Sequence, residues 1–337
     1  MKRIPFVPAL IQKLAPEMGI GVLLEPQWQR LGELVLPNGK HWPFLGTDIG
    51  INNSASAAIA QDKAYTHFLL KRCEINVPDS KVFSADRINA KLHEDNGINK
   101  AIEWVRKIGF PIYAKPNNLG HGELVARVTS ENEFKVVAMH IFERTDTMIV
   151  EREFGGRDFR VIVYDNQVRA AYERIAFGIE GDGRTTVDAL LRAKLERAKE
   201  LGLIQKDFEP EDFTIDKALG RQKVARHTIP DKGVHIRLLD NASLSTGGDA
   251  IDFSETLHPE FAQLAVKSAA AVGLKLCGVD ILADDISKSP SEQKYCVLEL
   301  NSKPALGIFH DLGDKQKERV ENIYRLMLKN IIEECED

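Results

Sequence analysis

Two short apolar runs near the end of the chain, CGVDIL (277–282) and YCVLELNSKP (295–304), constrain the fold more than any other stretch. Both read as strands, and the polar, serine-rich segment between them reads as a turn. Paired as an antiparallel hairpin centred near Ser289, they set Asp280 across from Leu298 or Glu299. Side chains alternate along a strand, so Glu299 and Asn301 point to one face. Two carboxylates and an amide oxygen on one face form the oxygen-only, anionic set that a hard cation such as Mg²⁺ accepts, together with water and substrate phosphates. A solvated hairpin with its acids on the wet face fits the same strands, so the rest of the chain has to decide.

The bulk properties narrow the choice. At 337 residues the chain is long enough for two or three lobes. Its 43% hydrophobic and 28% charged content is that of a soluble globular protein. A net charge of −5 with no basic stripe argues against a nucleic-acid partner. The four cysteines (Cys73, Cys277, Cys296, Cys335) show no C-x-x-C spacing, so neither a zinc site nor a disulfide framework is expected. Pro5, Pro8, Pro16 and Glu17 interrupt the N-terminal segment, which lacks the apolar core of a signal peptide. No run of about 18 apolar residues occurs. A cytoplasmic protein with no membrane contact is expected.

Along the chain, residues 1–56 read as a small irregular N-terminal lobe, punctuated by Pro26, Pro37-Asn38-Gly39 and Pro43. Residues 57–147 read as an α+β unit. It has one helix from about Ala57 to Cys73, a helix over INKAIEWVRKIGF, the buried-looking strand FPIYAKP, a glycine-containing turn and a helix at 131–143. From 148 to 337 the pattern changes. MIVEREF, FRVIVY and VRAAYERIAF are joined by short turns and predict an antiparallel meander. A glycine-rich turn and a helix follow, then a turn-rich stretch, a helix over HPEFAQLAVKSAAAVGL, the hairpin, and a closing amphipathic helix near 313–333. Exposed helices such as 258–273 leave room for a homodimer.

Several side chains suit phosphate chemistry. Lys115 ends FPIYAKP directly before NNLGHGEL, where Gly120 and Gly122 let backbone N–H groups approach an anion. Lys63 opens a helix, a place where lysine normally faces solvent. Glu151 ends a strand and can meet a planar heterocycle, and Asp158, after Gly155-Gly156, can accept from ribose hydroxyls. Arg160 and Arg174 lie on strands expected to face the same cleft, and arginine docks carboxylate or phosphate bidentately. The segment HIRLLDNASLSTGGD adds Arg237, Asn241 and a Ser-Thr-Gly-Gly turn. His121, inside the first glycine turn, would lie beside the phosphates, placed to position or deprotonate an incoming amine. Each of these residues taken singly also fits a plain turn or a surface ion pair.

In order and spacing, Asp62-Lys63, FPIYAKP, VEREFGGRDFRVIV and GVDIL…VLELNSKP resemble the ATP-grasp superfamily. GHGELV, GRDFRV, YERIAFGIEGDGRTTVDALL and NASLSTGGDAIDFSETLHPEF are similar to the ATP-grasp module of cyanophycin synthetases and bifunctional glutathione synthetases. The resemblance covers roughly residues 57–312. It implies an ATP-grasp fold of class α+β, with two α+β lobes gripping ATP and the small N-terminal lobe beside them. It further implies Lys63 and Lys115 on the ATP phosphates, and Gly120 to Gly122 as a flap over them. Glu151 with the following Arg152, Glu153 and Phe154 would hold adenine, and Asp158 the ribose. Asp280, Glu299 and Asn301 would bind Mg²⁺. Arg160, Arg174, Arg237 and His121 would handle the acceptor or the nucleophile. Ala305 stands where the relatives' last motif has glycine. The implied activity is an ATP-dependent carboxylate–amine ligase that acts through an acylphosphate on an amino acid or short peptide, with an amine co-substrate. The alternatives are a small-molecule kinase on this fold and a non-catalytic ATP-binding regulatory module.

Overall fold

The computed structural model describes residues 4–93, 95–120, 123–200, 213–239 and 248–336. The N-terminal segment is more regular than its prolines suggest. Helix Phe6–Leu14 leads into an antiparallel meander of β1 (Gly21–Leu24), β2 (Leu31–Val35) and β3 (His41–Leu45). Leu34 and Phe44 alternate inward, and Pro43 is tolerated because β3 is an edge strand. The apparent breakers make the turns: Gly39 takes a φ of +80° between β2 and β3. This segment has no core of its own. Val7, Leu34 and Phe44 pack with Val320, Met327 and Ile331 of the closing helix Asp314–Glu336, and with Tyr164 and Tyr172 of the largest sheet.

The single helix expected from 57 to 73 is two, Ser54–Gln61 and Lys63–Arg72. Asp62 between them is extended, and its side chain caps the second helix by accepting from the Tyr65 N–H. A capping aspartate competes with helix continuation, so it starts a helix here rather than lying inside one.

Next comes a four-stranded antiparallel sheet of β4 (Ser80–Ser84), β5 (Ile112–Pro116), β6 (Ala126–Val128) and β7 (Thr147–Arg152), in the order β4-β7-β5-β6. Helices Ile98–Ile108 and Glu131–Arg144 bury Ala101, Val105, Phe134 and Ala138 against Phe83, Ile112 and Val150. The expected meander is therefore corrected. MIVEREF is β7, and it pairs with β4 and β5 rather than with the strand that follows it. The short Gly155-Gly156 link is a crossing between sheets; a Cβ on Gly156 (φ +124°) would sit 3.0 Å from the Ala283 backbone.

The largest sheet contains β8 (Arg157–Tyr164) and β9 (Gln167–Ile175). After it the chain makes a two-stranded ribbon, β10 (Gly178–Glu180) with β11 (His235–Arg237). Helices Val187–Glu200 and Phe213–Arg221 sit on this ribbon around Phe177, Leu191 and Leu219. Strands β12 (Asp249–Asp252), β13 (Leu276–Ala283) and β14 (Tyr295–Asn301) complete the five-stranded sheet, order β12-β9-β8-β13-β14. Odd-numbered residues of β8 and β13 (Phe159, Val161, Val279, Ile281) pack with Phe261 and Ala265 of helix Pro259–Val272, and with Ala60 and Leu70 of the paired helices. Even-numbered residues face the other way, toward the N-terminal meander and the functional cleft. We propose lobe limits that follow these cores, with strands 80–152 as one lobe and helices 54–72 grouped with the five-stranded sheet. Among the described residues no helix is long and apolar enough to cross a membrane.

Candidate active site

Strand register assembles the site. Across the even face of the five-stranded sheet, Tyr172 opposes Arg160, Arg160 opposes Asp280, and Asp280 opposes Glu299. Two residues along the same strands, Gly278 opposes Asn301. A Cβ on Gly278 would lie 3.1 Å from Pro304 Cβ and 3.4 Å from Arg160 Cδ, so glycine lets the arginine lie across the strand. The hairpin reading thus holds, with Asp280 opposite Glu299.

Asp280 is fully buried, and both of its oxygens accept hydrogen bonds. Arg160 donates from Nε to Oδ1 (2.6 Å) and from Nη2 to Oδ2 (2.7 Å), Arg174 Nη2 lies 2.8 Å from Oδ2, and Asn301 Nδ2 donates to Oδ2 at 3.2 Å. Three of these four contacts fall on Oδ2, whereas Oδ1 accepts from Arg160 alone and keeps one lone-pair position. Burial alone would lower the Arg160 pKa, but Asp280 outweighs it and holds the guanidinium charged. Asp158 is engaged through Oδ1, which accepts from Arg174 Nε (3.0 Å) and Nη2 (2.7 Å). Burial, joined by nearby Asp280 and opposed by Arg174, raises its pKa to about 6.

The four-stranded sheet contributes the lysine side. Lys115 is buried and lies 2.8 Å from Glu151, whose Oε1 is buried without a partner among the described residues. Burial would lower the Lys115 pKa, but Glu151 and Glu299 raise it, so the ammonium persists. Lys63 is not solvent-facing as expected: it is 7% exposed, donates to Leu119 O at 2.8 Å and lies 3.8 Å from Glu299. Asn117 explains its placement, since its carbonyl accepts from the Lys63 N–H and its Oδ1 from the Ala64 N–H, while its Nδ2 donates to Asp62. Desolvation, only partly offset by Glu299, lowers the Lys63 pKa. For Glu299, burial would raise the pKa, yet Lys63, Lys115 and Arg174 hold it far below the usual carboxylate range.

In the segment after Glu151, the N–H groups of Arg152 and Glu153 are already given to Asp79 O and Pro111 O, and the Glu153 side chain pairs with Arg127 (2.6 Å). The backbone expected to grip a heterocycle is thus partly used, and the Phe154 N–H has no backbone partner among the described residues. Arg237 lies on the small ribbon and donates from Nε to Leu239 O at 2.8 Å. Gly120 lines the cleft, whereas His121, Gly122, Asn241 and residues 245–247 of the Ser-Thr-Gly-Gly turn lie outside the described residues.

The cleft that joins these groups has a volume of about 2030 Å³. Small-molecule sites usually hold roughly 300–1,000 Å³. It runs from Lys115 and Glu151, past Glu299 and Asn301, to the start of helix Phe6–Leu14 and the segment 303–311, which includes the short helix Gly307–His310. Phe6, Arg30, His310 and Lys317 at this far end carried no signal in the sequence. There Phe6 meets His310 edge-on at 5.0 Å, Lys303 pairs with Asp48 (2.7 Å), and Arg30 and Lys317 line the wall with no ion-pair partner among the described residues.

As for a metal, among the described residues no three His, Cys, Asp or Glu side chains group to hold one. The oxygen set of Asp280, Glu299 and Asn301 fits a hard cation in kind, with lone pairs remaining on Glu299 and on the Asn301 amide oxygen. On Asp280 the free position is on Oδ1, since Oδ2 is already met by Arg160, Arg174 and Asn301.

A cleft between antiparallel α+β lobes, walled by buried lysines on one side and a carboxylate hairpin on the other, is the ATP-grasp arrangement, and the chain is similar to ATP-grasp proteins in part of its sequence and in its fold. Residues 69–180 match the family model described as D-ala D-ala ligase C-terminus, and residues 241–321 match the RimK-like ATP-grasp domain. A glutathione biosynthesis bifunctional protein of Clostridium perfringens is 30% identical over 278 residues, covering 78% of this chain and 33% of that protein. A cyanophycin synthetase of Nostoc sp. is 31% identical over 250 residues, covering 73% of this chain and 26% of that protein. The chain therefore spans about a third or less of these relatives. Among solved structures, a bifunctional glutathione synthetase from Pasteurella multocida superposes with a TM-score of 0.58 at 21% identity, covering 94% of this chain and 43% of that one. That likeness shows the shared fold.

Proposed function

We propose that the chain is an ATP-dependent carboxylate–amine ligase that works through an acylphosphate on an amino acid or short peptide. The observation that carries this reading is the convergence of buried Lys63 and Lys115 with the Arg160–Asp280–Glu299 row on one cleft too large for a nucleotide alone. The relatives' names, which are those of peptide- and amide-forming enzymes, support it.

In this reading the lysines neutralise the ATP phosphates, and Glu151 Oε1, buried without a partner among the described residues, accepts from the base's exocyclic amine. Glu299, Asn301 and Asp280 would hold Mg²⁺, which supplies further charge neutralisation at the phosphates. Arg160 and Arg174 turn their Nε–Nη2 edges to Asp280 and Asp158, so the carboxylates fix both guanidinium planes toward the cleft. There they hold the acceptor carboxylate in line with the γ-phosphorus. A carboxylate oxygen takes the phosphoryl group and ADP leaves. The amine then attacks the acyl carbon, loses a proton and expels phosphate. The acceptor occupies the far end of the cleft, where Arg30 and Lys317 face it. The amine co-substrate, Asp158 as a ribose ligand, His121 and Arg237 as substrate contacts, and a cytoplasmic setting belong to the same proposal.

The test is release of ADP and phosphate from ATP, with pooled amino acids and dipeptides, followed by mass spectrometry of the product. We expect equal ADP and phosphate, a product mass equal to two components minus water, and loss of both in Glu299→Gln. ADP formed without phosphate would replace the ligase by a kinase.

A further inference from the structure

His67 is 3% exposed and lies one helical turn after Lys63, on the same inward face of helix Lys63–Arg72. Its Nε2 is 3.0 Å from the Leu298 carbonyl, and its Nδ1 is 3.0 Å from Ser80 Oγ. A carbonyl only accepts, so Nε2 carries the proton and Nδ1 accepts from the Ser80 hydroxyl. Both ring nitrogens are satisfied by the neutral imidazole, and burial favours that form.

The two partners sit beside two of the site's carboxylates, Glu151 and Glu299. Ser80 is registered opposite Glu151 in the four-stranded sheet, and Leu298 immediately precedes Glu299 in the five-stranded sheet. One imidazole therefore ties together the helix that carries Lys63, the lobe that carries Lys115 and Glu151, and the strand that carries Glu299. A backbone bond on the same flank, from the Val297 N–H to Asn76 O (2.8 Å), holds the strand but does not reach the other sheet.

We infer that His67 is a positioning residue. It sets the distance between the Lys115–Glu151 pair and the Lys63–Glu299 pair, so that both lysines and the metal carboxylate address one bound nucleotide. The inference uses the nucleotide and metal assignments of the proposed function and does not need an amine substrate. A histidine that only fills the core would be replaced equally well by any side chain of its volume. A tie through two hydrogen bonds would not.

The experiment compares the full chain with His67→Gln, His67→Leu and Ser80→Ala. Affinity for a fluorescent, non-hydrolysable ATP analogue is titrated with and without Mg²⁺, and melting temperatures are recorded alongside. Gln can donate to Leu298 O; Leu fills the space and cannot. We expect His67→Leu to retain Mg²⁺-free affinity within about threefold but to lose at least fivefold of the gain that Mg²⁺ confers. His67→Gln should recover most of that gain, and Ser80→Ala should fall between them. Equal behaviour of His67→Leu and His67→Gln, or an undiminished Mg²⁺ gain in His67→Leu, overturns the inference. If His67→Leu does not fold, Ser80→Ala decides alone, and an unchanged Mg²⁺ gain there overturns it. Because no turnover is read, failure of the ligase reading would show separately, as absent amide product from the wild-type chain.

Discussion

Replacing Arg160 by Met tests how the carboxylate row is held. Arg160 makes two charge-assisted bonds to Asp280, at 2.6 and 2.7 Å, and Asp280 has no access to solvent. Bonds to charged groups contribute roughly 1.5–3 kcal/mol each, which gives about 3–6 kcal/mol for the pair. Breaking a buried ion pair from one side costs about 3–5 kcal/mol, a range that agrees. Arg174 and Asn301 remain on Oδ2, so the lower end applies and we expect a loss of about 3 kcal/mol. At about 2 °C per kcal/mol for a chain of this length, the midpoint falls by about 6 °C. Urea unfolding followed by far-UV circular dichroism measures it. Arg160→Met combined with Asp280→Asn removes the stranded charge and should recover about 2 kcal/mol. A loss below about 1 kcal/mol in the single variant, or no recovery in the double one, would refute the reasoning.

Lys63→Met should keep the fold and lower ADP formation by at least about a hundredfold, the order seen when one preorganised charge donor is removed; loss under tenfold in a coupled assay would remove Lys63 from the phosphate site. Arg30→Ala and Lys317→Ala should each raise the KM for the carboxylate acceptor about tenfold and leave the KM for ATP unchanged, read by initial rates; an unchanged acceptor KM would vacate the far end of the cleft. Gly278→Ala, which places a methyl group 3.1 Å from Pro304 Cβ, should cost about 1–3 kcal/mol by overpacking, measured by urea unfolding. His67 supplies a pH dependence. Burial lowers its folded pKa below the reference 6.5, so below pH 6.5 the unfolded chain binds more protons than the folded one. Stability contributed by this residue is full above pH 6.5 and falls on acidification, by at most about 1.4 kcal/mol per pH unit. In unfolding curves between pH 7.5 and 5.5, His67→Gln should show a shallower decline than wild type, and parallel curves would contradict this.

The site's central register was legible in the sequence because it is local. Strand alternation and a short turn suffice to place Asp280 opposite Glu299 and to put Asn301 on their face. What Asp280 touches was not legible, since Arg160 and Arg174 reach it from strands more than a hundred residues earlier. The same limit explains β7. Its run sits beside β8 in sequence, but hydrogen bonding to β4 and β5 is decided by tertiary packing. Lys63 was read as exposed because a helix-opening lysine has no local reason for burial; Asn117, Leu119 and Glu299 supply that reason from afar. The N-terminal meander was hidden by prolines and glycines that turned out to mark its turns and its edge. Nothing in the local pattern around His67 distinguished it from an ordinary polar helix residue.

Oxygen transfer tests the central claim most directly. The acceptor identified by mass spectrometry, labelled with ¹⁸O in its carboxylate, is turned over with ATP and the amine, and the released phosphate is weighed. An acylphosphate intermediate carries one carboxylate oxygen into phosphate, so one ¹⁸O per phosphate is expected. Unlabelled phosphate formed alongside the amide would contradict activation of the carboxylate by phosphoryl transfer, and with it the assignment of this cleft.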